Sequence, residues 1–165
     1  MGVFVLIEKG DGREGIEGDS KFAEHNKWIV CENCTIPTTR PETQTSMGKV
    51  TDRTRAAVAF EDVQLKKSMD KASPGLMRWN LWGDGRKVTI HFTDEKEWYM
   101  ELIMYDTILT KLDIDADEEG TATETLSLDF TKLEYNYKTK QADGKKYDEP
   151  VRMGYDIAVG EFTGA

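Results

Sequence analysis

Apolar and polar residues alternate along much of this sequence, with the period of two that is typical of β-strands. The clearest strand-like runs cover residues 3–7, which are all apolar, and residues 27–30, 60–69, 86–92 and 126–130. Leu126, Leu128 and Phe130 share one face of the last run, whereas the apolar positions from 133 to 137 fall out of phase with them. The slip predicts a β-bulge near Thr131 and Lys132, of the kind that bends a long strand in a barrel.

One segment, residues 97–112, combines good helix formers with a strand-like pattern. Its aromatic and β-branched content favours a long strand. The residues that would then share one side are Trp98, Met100, Leu102, Met104 and Ile108.

One helix is well defined by its end signals. Ser73 is predicted as the N-cap and Pro74 as the first helical residue, where a missing N–H costs nothing. Gly83 supplies a left-handed stop. Between these ends the apolar residues occupy nearly the whole circumference: Leu76, Met77, Trp79, Leu81 and Trp82.

A helix that is apolar on so many sides is expected to be covered on more than one of them. One side of the helix is expected to pack against the end of the barrel. The other side is expected to contact either a second subunit, through Trp79 and Trp82, or long loops of the same subunit.

The segment from residue 35 to 55 has no apolar period and begins with many Thr and Pro residues, which predicts a loop of roughly twenty residues. A loop of this length suggests a role in binding a partner or in assembly of subunits, and the alternative is a surface loop without such a role. Its charged part contains Lys49, Arg53 and Arg55, which are candidate contacts between subunits.

The composition indicates a globular chain, and the net charge argues against one class of partner. With 165 residues, 38% of them hydrophobic and 32% charged, the chain is expected to form one domain, residues 1–165. The net charge of −9 argues against nucleic acid, whose binding depends on clustered Lys and Arg. The first residues lack a basic region and contain only five consecutive apolar residues, so we expect a cytosolic start, no signal peptide and no membrane insertion.

Cys31 and Cys34 form a C-x-x-C, which is typical of thiol redox and zinc sites in a suitable setting. Redox motifs place the first cysteine at a helix N-terminus, and zinc sites need two further ligands. Here a predicted strand precedes Cys31, and the remaining ligands, His25 and His91, have no paired spacing. We therefore favour a structural role for the two cysteines. The alternative is that the chain is a cytosolic redox or zinc-binding β protein that uses this pair.

An acidic run follows the long strand. Counted from Asp113, carboxylates fall at positions 1, 3, 5 and 12 of a calcium loop, but Glu118 replaces the glycine at position 6 and strands replace the flanking helices. An acidic hairpin tip is therefore predicted. The sequence contains neither a nucleophile–base motif nor a phosphate-binding glycine loop, so we expect no catalytic residue, no metal and no cofactor.

Four segments resemble, in their order and spacing, the haemolysin co-regulated protein (Hcp) family, whose members form the tube of the bacterial type VI secretion system. The segments are HNKWIV (25–30), FEDVQLKKSMDKASPGL (60–76), ETLSLDFTKLEYNY (124–137) and GYDI (154–157). The family-motif residues within them are His25, Trp28, Asp70, Lys71, Ala72, Ser73, Pro74, Gly154, Tyr155 and Asp156.

The resemblance implies an antiparallel β-barrel of two packed sheets with one flanking α-helix. It also implies a structural protein, not an enzyme, that forms hexameric rings stacked into a hollow tube. Such a tube is made in the bacterial cytoplasm and driven out by a contractile sheath, with a spike protein at its tip and effector proteins in its lumen. A monomeric β-barrel that binds a small ligand is a further alternative.

Two departures from the family pattern are visible. The run Cys34-Thr35-Ile36-Pro37 replaces a turn of the Ser-Trp-Gly type, and Tyr155 replaces a tryptophan. Both predict differences in local arrangement rather than in fold.

Overall fold

The computed structural model of the chain describes residues 2–39, 59–95 and 97–164. The strands are β1 Gly2–Ile7, β2 Ile29–Cys31, β3 Asn33–Thr35, β4 Thr38–Thr39, β5 Ala59–Phe60, β6 Val63–Ser68, β7 Arg86–Thr93, β8 Trp98–Ala116, β9 Ala122–Asp129, β10 Lys132–Tyr137, β11 Val151–Asp156 and β12 Glu161–Phe162. A 3₁₀ turn, Ala23–His25, and one α-helix, α1 Ser73–Trp82, complete these ranges. The mainly β class is confirmed. Lys49, Arg53 and Arg55 lie outside the described residues, so their contacts stay a prediction.

The 19-residue strand β8, which the pattern of residues 97–112 predicts, organises the sheets because two groups of strands pair with its two halves. One group has the order β12-β11-β10-β8-β7-β1-β2, and the other runs from β8 through β9 and β6 to β3. The chain crosses between the groups at Glu32, whose N–H donates to the Lys66 carbonyl at 2.7 Å. Within the described ranges no ladder joins β2 to β3, so the two sheets pack together without the full closure of the predicted barrel.

Inward-facing residues of the two sheets form the core. In the first sheet a row of directly paired residues runs from Ile29 through Val5 and Ile90 to Leu102. The second sheet contributes Val63, Leu65, Leu126 and Leu128. Because these side chains are almost completely buried, each stabilises the fold by roughly 1.5–3 kcal/mol.

The change of phase near Thr131 coincides with a break between β9 and β10. The predicted bulge is absent from this described region, because the pairs on either side of the break, Tyr105 with Lys132 and Ile108 with Asp129, keep one register without an inserted residue. Opposite this break, Asp106 of β8 has a positive φ of 49°. Thr131 joins the two irregularities, because its N–H donates to the Tyr105 carbonyl at 3.2 Å and its hydroxyl to the Asp106 carboxylate at 3.2 Å. The phase of β8 changes here, so Leu109 is buried and the prediction that Ile108 continues the buried side is wrong.

The start of α1 is held differently from the prediction. Ala72, not Ser73, occupies the N-cap position, with helical φ and ψ of −74° and −19° and no side-chain cap. Instead, the Asp70 carboxylate accepts the Ala72 N–H at 2.9 Å, and the Ser73 hydroxyl accepts the Asp70 N–H at 3.1 Å. At the other end Gly83 has a φ of 71° and donates its N–H to the Trp79 carbonyl, which confirms the predicted stop.

Across residues 2–39, 59–95 and 97–164, no helix has the length and apolar character needed to cross a membrane.

Candidate assembly surfaces

The helix α1 has one buried and one exposed apolar side. Leu76 and Trp79 are fully buried, and the Trp79 indole N–H donates to the Asp84 carbonyl at 2.7 Å. The predicted contact of Trp79 with a second subunit is therefore wrong, because this side chain lies in the core of its own subunit. Met77, Leu81 and Trp82 are 45%, 79% and 48% exposed, and we call these three residues the helix patch.

Polar side chains fix the start of α1 to the sheets. The Lys67 ammonium lies 2.6 Å from the Glu124 carboxylate and 3.0 Å from that of Asp70, and it donates to the Ser68 carbonyl at 2.8 Å. The Ser73 hydroxyl donates to the same Glu124 oxygen at 2.9 Å. The side chains of Lys67 and Glu124 are completely buried. Three acceptors surround the ammonium, as a buried lysine requires, because an unpaired buried charge is very costly.

This ion cluster explains the family motif at residues 70–74. Asp70 and Ser73 belong to the cluster, and Ala72 is buried beside them. Lys71 and Pro74 instead line a groove on the surface. The motif therefore positions the helix on the sheets.

Lys67 and Glu124, the two buried members of the cluster, are not identified by the sequence reasoning. The available signal is their position: in β6 the buried residues are Val63, Leu65 and Lys67, so a lysine occupies a core position of a strand. Glu124 is the residue directly opposite Lys67 in the β6–β9 ladder. A charge at an inward strand position requires an opposite charge nearby, and only the register identifies which one.

The other family motif, at His25 and Trp28, belongs to a polar and aromatic cluster on the first sheet. His25 Nε2 lies 2.8 Å from His91 Nδ1, and His91 Nε2 lies 2.7 Å from the Glu101 carboxylate. Asn136 donates its amide N–H to the second Glu101 oxygen at 2.9 Å. The Trp28 ring packs against both imidazoles, with centroid distances of 4.7 and 4.8 Å.

The protonation of this cluster follows from its hydrogen bonds. An ionised carboxylate only accepts, so His91 donates from Nε2 to Glu101, and its Nδ1 shares a second hydrogen bond with Nε2 of His25. Burial is the main reason why the pKa of His25 lies below its usual 6.5, and the neighbouring His91 is the second. The hydrogen bond from His91 is the main cause of the lowered pKa of Glu101. The cluster thus joins the segment that carries His25 to the sheet.

Cys31 and Cys34 lie in two different strand pairs. Cys31 ends β2 and pairs with Val3, whereas Cys34 lies in β3 and pairs with Leu65, and both thiols are free. Burial raises the pKa of each thiol to about 12, opposite to the lowered pKa that a reactive thiolate needs. In the described parts of the chain, no group of three or more His, Cys, Asp or Glu residues could hold a metal ion. The redox alternative therefore gains no support.

The last family motif, Gly154, Tyr155 and Asp156, ends β11 and leads into β12. A Cβ on Gly154 would lie 2.4 Å from the Thr163 carbonyl oxygen, so only glycine permits this close approach. The Tyr155 ring packs against Phe162, with the ring centroids 5.2 Å apart. The motif therefore supports the pairing of the two C-terminal strands.

A second apolar surface lies on β10 and β11, where the core face of the first sheet continues beyond the buried residues. Tyr135 pairs with the buried Leu102 of β8 on one side and with Met153 of β11 on the other, and Tyr137 pairs with Val151. We call Tyr135, Tyr137, Val151 and Met153 the sheet patch; each is at least 36% exposed. Apolar side chains grouped in this way mark an interaction site.

A β-rich subunit of two packed sheets, one flanking helix and two exposed apolar patches has the features of proteins that act through assembly. The sequence matches the family described as "Type VI secretion system effector, Hcp" over residues 9–137. The chain belongs to this family, as the four segments indicated, and it is a subunit of the type VI secretion tube.

Solved structures share the fold over nearly the whole chain. Hcp1 from Salmonella typhimurium is 18% identical with a TM-score of 0.71, and the match covers 99% of this chain and 100% of that one. A type VI secretion system effector from Yersinia pestis is 22% identical with a TM-score of 0.70, over 93% and 98% of the two chains. A type six secretion system protein reaches a TM-score of 0.84 at 16% identity, over 97% and 99%. A search of curated proteins finds no match.

Proposed function

We propose that this chain assembles through its two apolar patches into hexameric rings, which stack into the tube of the type VI system. The observation that carries the proposal is the pair of exposed patches on a member of the Hcp family. The helix patch and the sheet patch are different surfaces, so a contact between one and the other is head-to-tail. Such a contact produces a ring when the rotation between neighbours closes.

The partners in this role are a contractile sheath around the tube, a spike protein at its tip and effector proteins in its lumen. Membership of the family supports this part of the proposal. It also implies that the subunit leaves the bacterial cytoplasm through the type VI machine. Export is tested by detecting the chain in the culture medium of the source bacterium and of a strain without the sheath, which should release none.

Assembly is tested with the purified protein by sizing chromatography and electron microscopy. End-on views of the unaltered chain should show six-fold annuli with open centres. Leu81→Glu in the helix patch and Val151→Glu in the sheet patch should each lower the association constant about tenfold or more, because a charge replaces apolar contact. Lys146→Glu, at an exposed position outside both patches, is the control.

Circular dichroism should show that all these variants are folded, since the replaced side chains are exposed. A strictly monomeric chain would contradict ring formation. Unaltered rings in both Leu81→Glu and Val151→Glu would show that other surfaces form the contacts.

A further inference from the structure

The structure contains an acidic projection at the end of β8 and β9. We call residues 111–121 the acidic hairpin. Its carboxylates are Asp113, Asp115, Asp117, Glu118 and Glu119, and all five residues are exposed. Lys111, which lies 3.3 Å from Asp113, is the single basic residue of this segment. The hairpin tip lies beyond the last pair between β6 and β9, which joins Ser68 to Thr123.

The hairpin tip has a defined shape because its turn is closed by hydrogen bonds. The Asp117 carboxylate accepts the N–H of Glu119 at 3.0 Å and that of Thr121 at 2.9 Å. Gly120, with a φ of 81°, donates its N–H to the Asp117 carbonyl at 3.0 Å. A tip ordered in this way loses little conformational entropy when a partner binds it.

A basic groove of about 1320 Å³ lies between α1, the loop of residues 8–17 and the segment 26–27. Its basic lining residues are Lys9, Arg13, Lys27, Lys71, Arg78 and Arg86, against three glutamates. This excess of positive charge stands out in a chain whose net charge is −9. A concave site lined by one sign of charge attracts groups of the other sign.

The basic residues of the groove differ in their availability. Arg86 is buried and pairs with Asp84 at 3.0 Å, so it belongs to the fold. The Arg13 guanidinium lies over the Trp82 ring, 4.2 Å from its centroid. One of its nitrogens, Nη1, lies 3.6 Å from the Asp84 carboxylate. Lys71 and Arg78 are exposed at the mouth of the groove. These exposed cations can reach a carboxylate that enters from outside.

Groove and hairpin are on different sides of the helix. Pro74, Arg78 and Trp82, spaced four residues apart along one side of α1, line the groove. On another side Asn80 donates its amide N–H to the carbonyl of Leu109, in the part of β8 that leads to the hairpin. Among the described residues, the helix therefore lies between the groove and the part of β8 that leads to the hairpin.

We propose that the acidic hairpin of one copy of this chain docks into the basic groove of a second copy. The inference rests on the proposed function, because a tube subunit must contact other copies. It adds a charged contact beside the helix patch, since Trp82 belongs to that patch and also lines the groove. A second copy is the occupant that the charges favour, since the same chain carries both complementary elements. Hairpin and groove are different surfaces, so the contact is head-to-tail, as ring closure or ring stacking requires. Its charges set the register and rate of association.

The experiment exchanges the charges of the two elements. One variant carries Lys71→Glu and Arg78→Glu in the groove, a second carries Asp115→Lys and Glu118→Lys in the hairpin, and a third combines all four changes. Assembly is measured by sedimentation and electron microscopy in about 0.15 M and about 1 M salt. A variant with Lys145→Glu and Lys146→Glu has the same charge change as the groove variant, in an exposed loop elsewhere.

Each reversal should lower the association constant about tenfold or more in low salt, because like charges then face each other. The combined variant should recover assembly, and salt should reduce the difference between the unaltered chain and the groove variant by screening. The control should assemble like the unaltered chain. Loss of annuli would place the contact within a ring, and loss of stacking alone would place it between rings; either result supports the docking.

Three results would overturn the inference. If the unaltered chain forms rings and both reversed variants assemble equally well, the docking is wrong and the proposed function stands. An effect of the groove variant without an effect of the hairpin variant means that the groove contacts a different acidic surface of the second copy. If the unaltered chain never associates, the proposed function and this inference fail together.

Discussion

Glu124 and the carboxylates of the acidic hairpin lie on the same pair of strands but in opposite environments. The Glu124 side chain is completely buried and lies 2.6 Å from the Lys67 ammonium. Glu118, only six residues earlier, is exposed at the tip. The buried carboxylate fixes the helix to the sheet, whereas the exposed ones contribute little to stability and are available to a partner.

The two tryptophans of α1 differ in the same way. Trp79 is buried and hydrogen-bonded within its own subunit, whereas Trp82 is 48% exposed. In both comparisons residues of one chemical type have different roles, because burial removes water from one and leaves it around the other. Variants at these positions, and at the histidine cluster, test this contrast.

Replacing Glu124 by Gln should lower the free energy of unfolding by about 3–5 kcal/mol, because it leaves the Lys67 ammonium buried without its closest counter-charge. Chemical denaturation followed by tryptophan fluorescence measures the change. Glu118→Gln, at the exposed tip, is the matched control and should change stability by less than about 0.5 kcal/mol. Equal effects at the two positions would remove the contrast. The double variant Lys67→Met/Glu124→Leu should recover much of the loss, since apolar side chains can replace a buried ion pair.

Replacing Trp79 by Phe should lower the free energy of unfolding by about 1–3 kcal/mol, because it creates a cavity and leaves the partly buried Asp84 carbonyl without its donor. Trp82→Phe should cost less than about 0.5 kcal/mol in the same denaturation experiment. If Trp82→Phe proves the more damaging change in isolated monomers, the assignment of the two sides of α1 is incorrect.

Lowering the pH from about 7.5 to about 5.5 should reduce the free energy of unfolding. The pKa of His25 is lowered in the folded protein from its usual 6.5, so the unfolded chain binds a proton at a higher pH than the folded protein does. The stability contributed by neutral His25 is therefore present above pH 6.5 and is lost as the pH falls below 6.5. The slope from one such group is at most about 1.4 kcal/mol per pH unit. The pKa of Glu101 is also lowered, which removes stability as the pH falls further, below 4.5.

His25→Gln keeps an amide donor near His91 but cannot titrate, so it should flatten the loss of stability between about pH 7.5 and pH 5.5. Thermal unfolding at a series of pH values measures it, and Lys146→Glu is the control. An unchanged slope in His25→Gln would show that the pH dependence has another source.

Much of the fold follows from local patterns. The unbroken apolar run of residues 3–7 and the alternation in residues 86–92 predict strands that the structure contains. Gly83 ends the helix as predicted, because only a residue without Cβ adopts the left-handed conformation at little cost. The acidic run is a hairpin, as its departure from a calcium loop indicated. The break at Thr131 could be found because a change of phase in a strand has few other causes.

The candidate site was less accessible to sequence reasoning. Trp79 and Trp82 have the same chemistry, and only the direction of α1 relative to the sheets makes one a core residue and the other a surface residue. Ser73 has the chemistry of an N-cap, but its hydroxyl bonds to Glu124, 51 residues away along the chain. Competing partners of this kind become visible only when the register is known.

The β class, the helix, the main turns and membership of the Hcp family can be predicted from the amino-acid order, because they depend on spacing between near neighbours and on ordered motifs. Which side chains meet and which stay uncovered depends on how the strands pair. The Lys67–Glu124 pair, the contact of His25 with His91 and the exposed sheet patch all result from strands far apart in sequence, whose pairing sets which residues share a face and which of them water can reach.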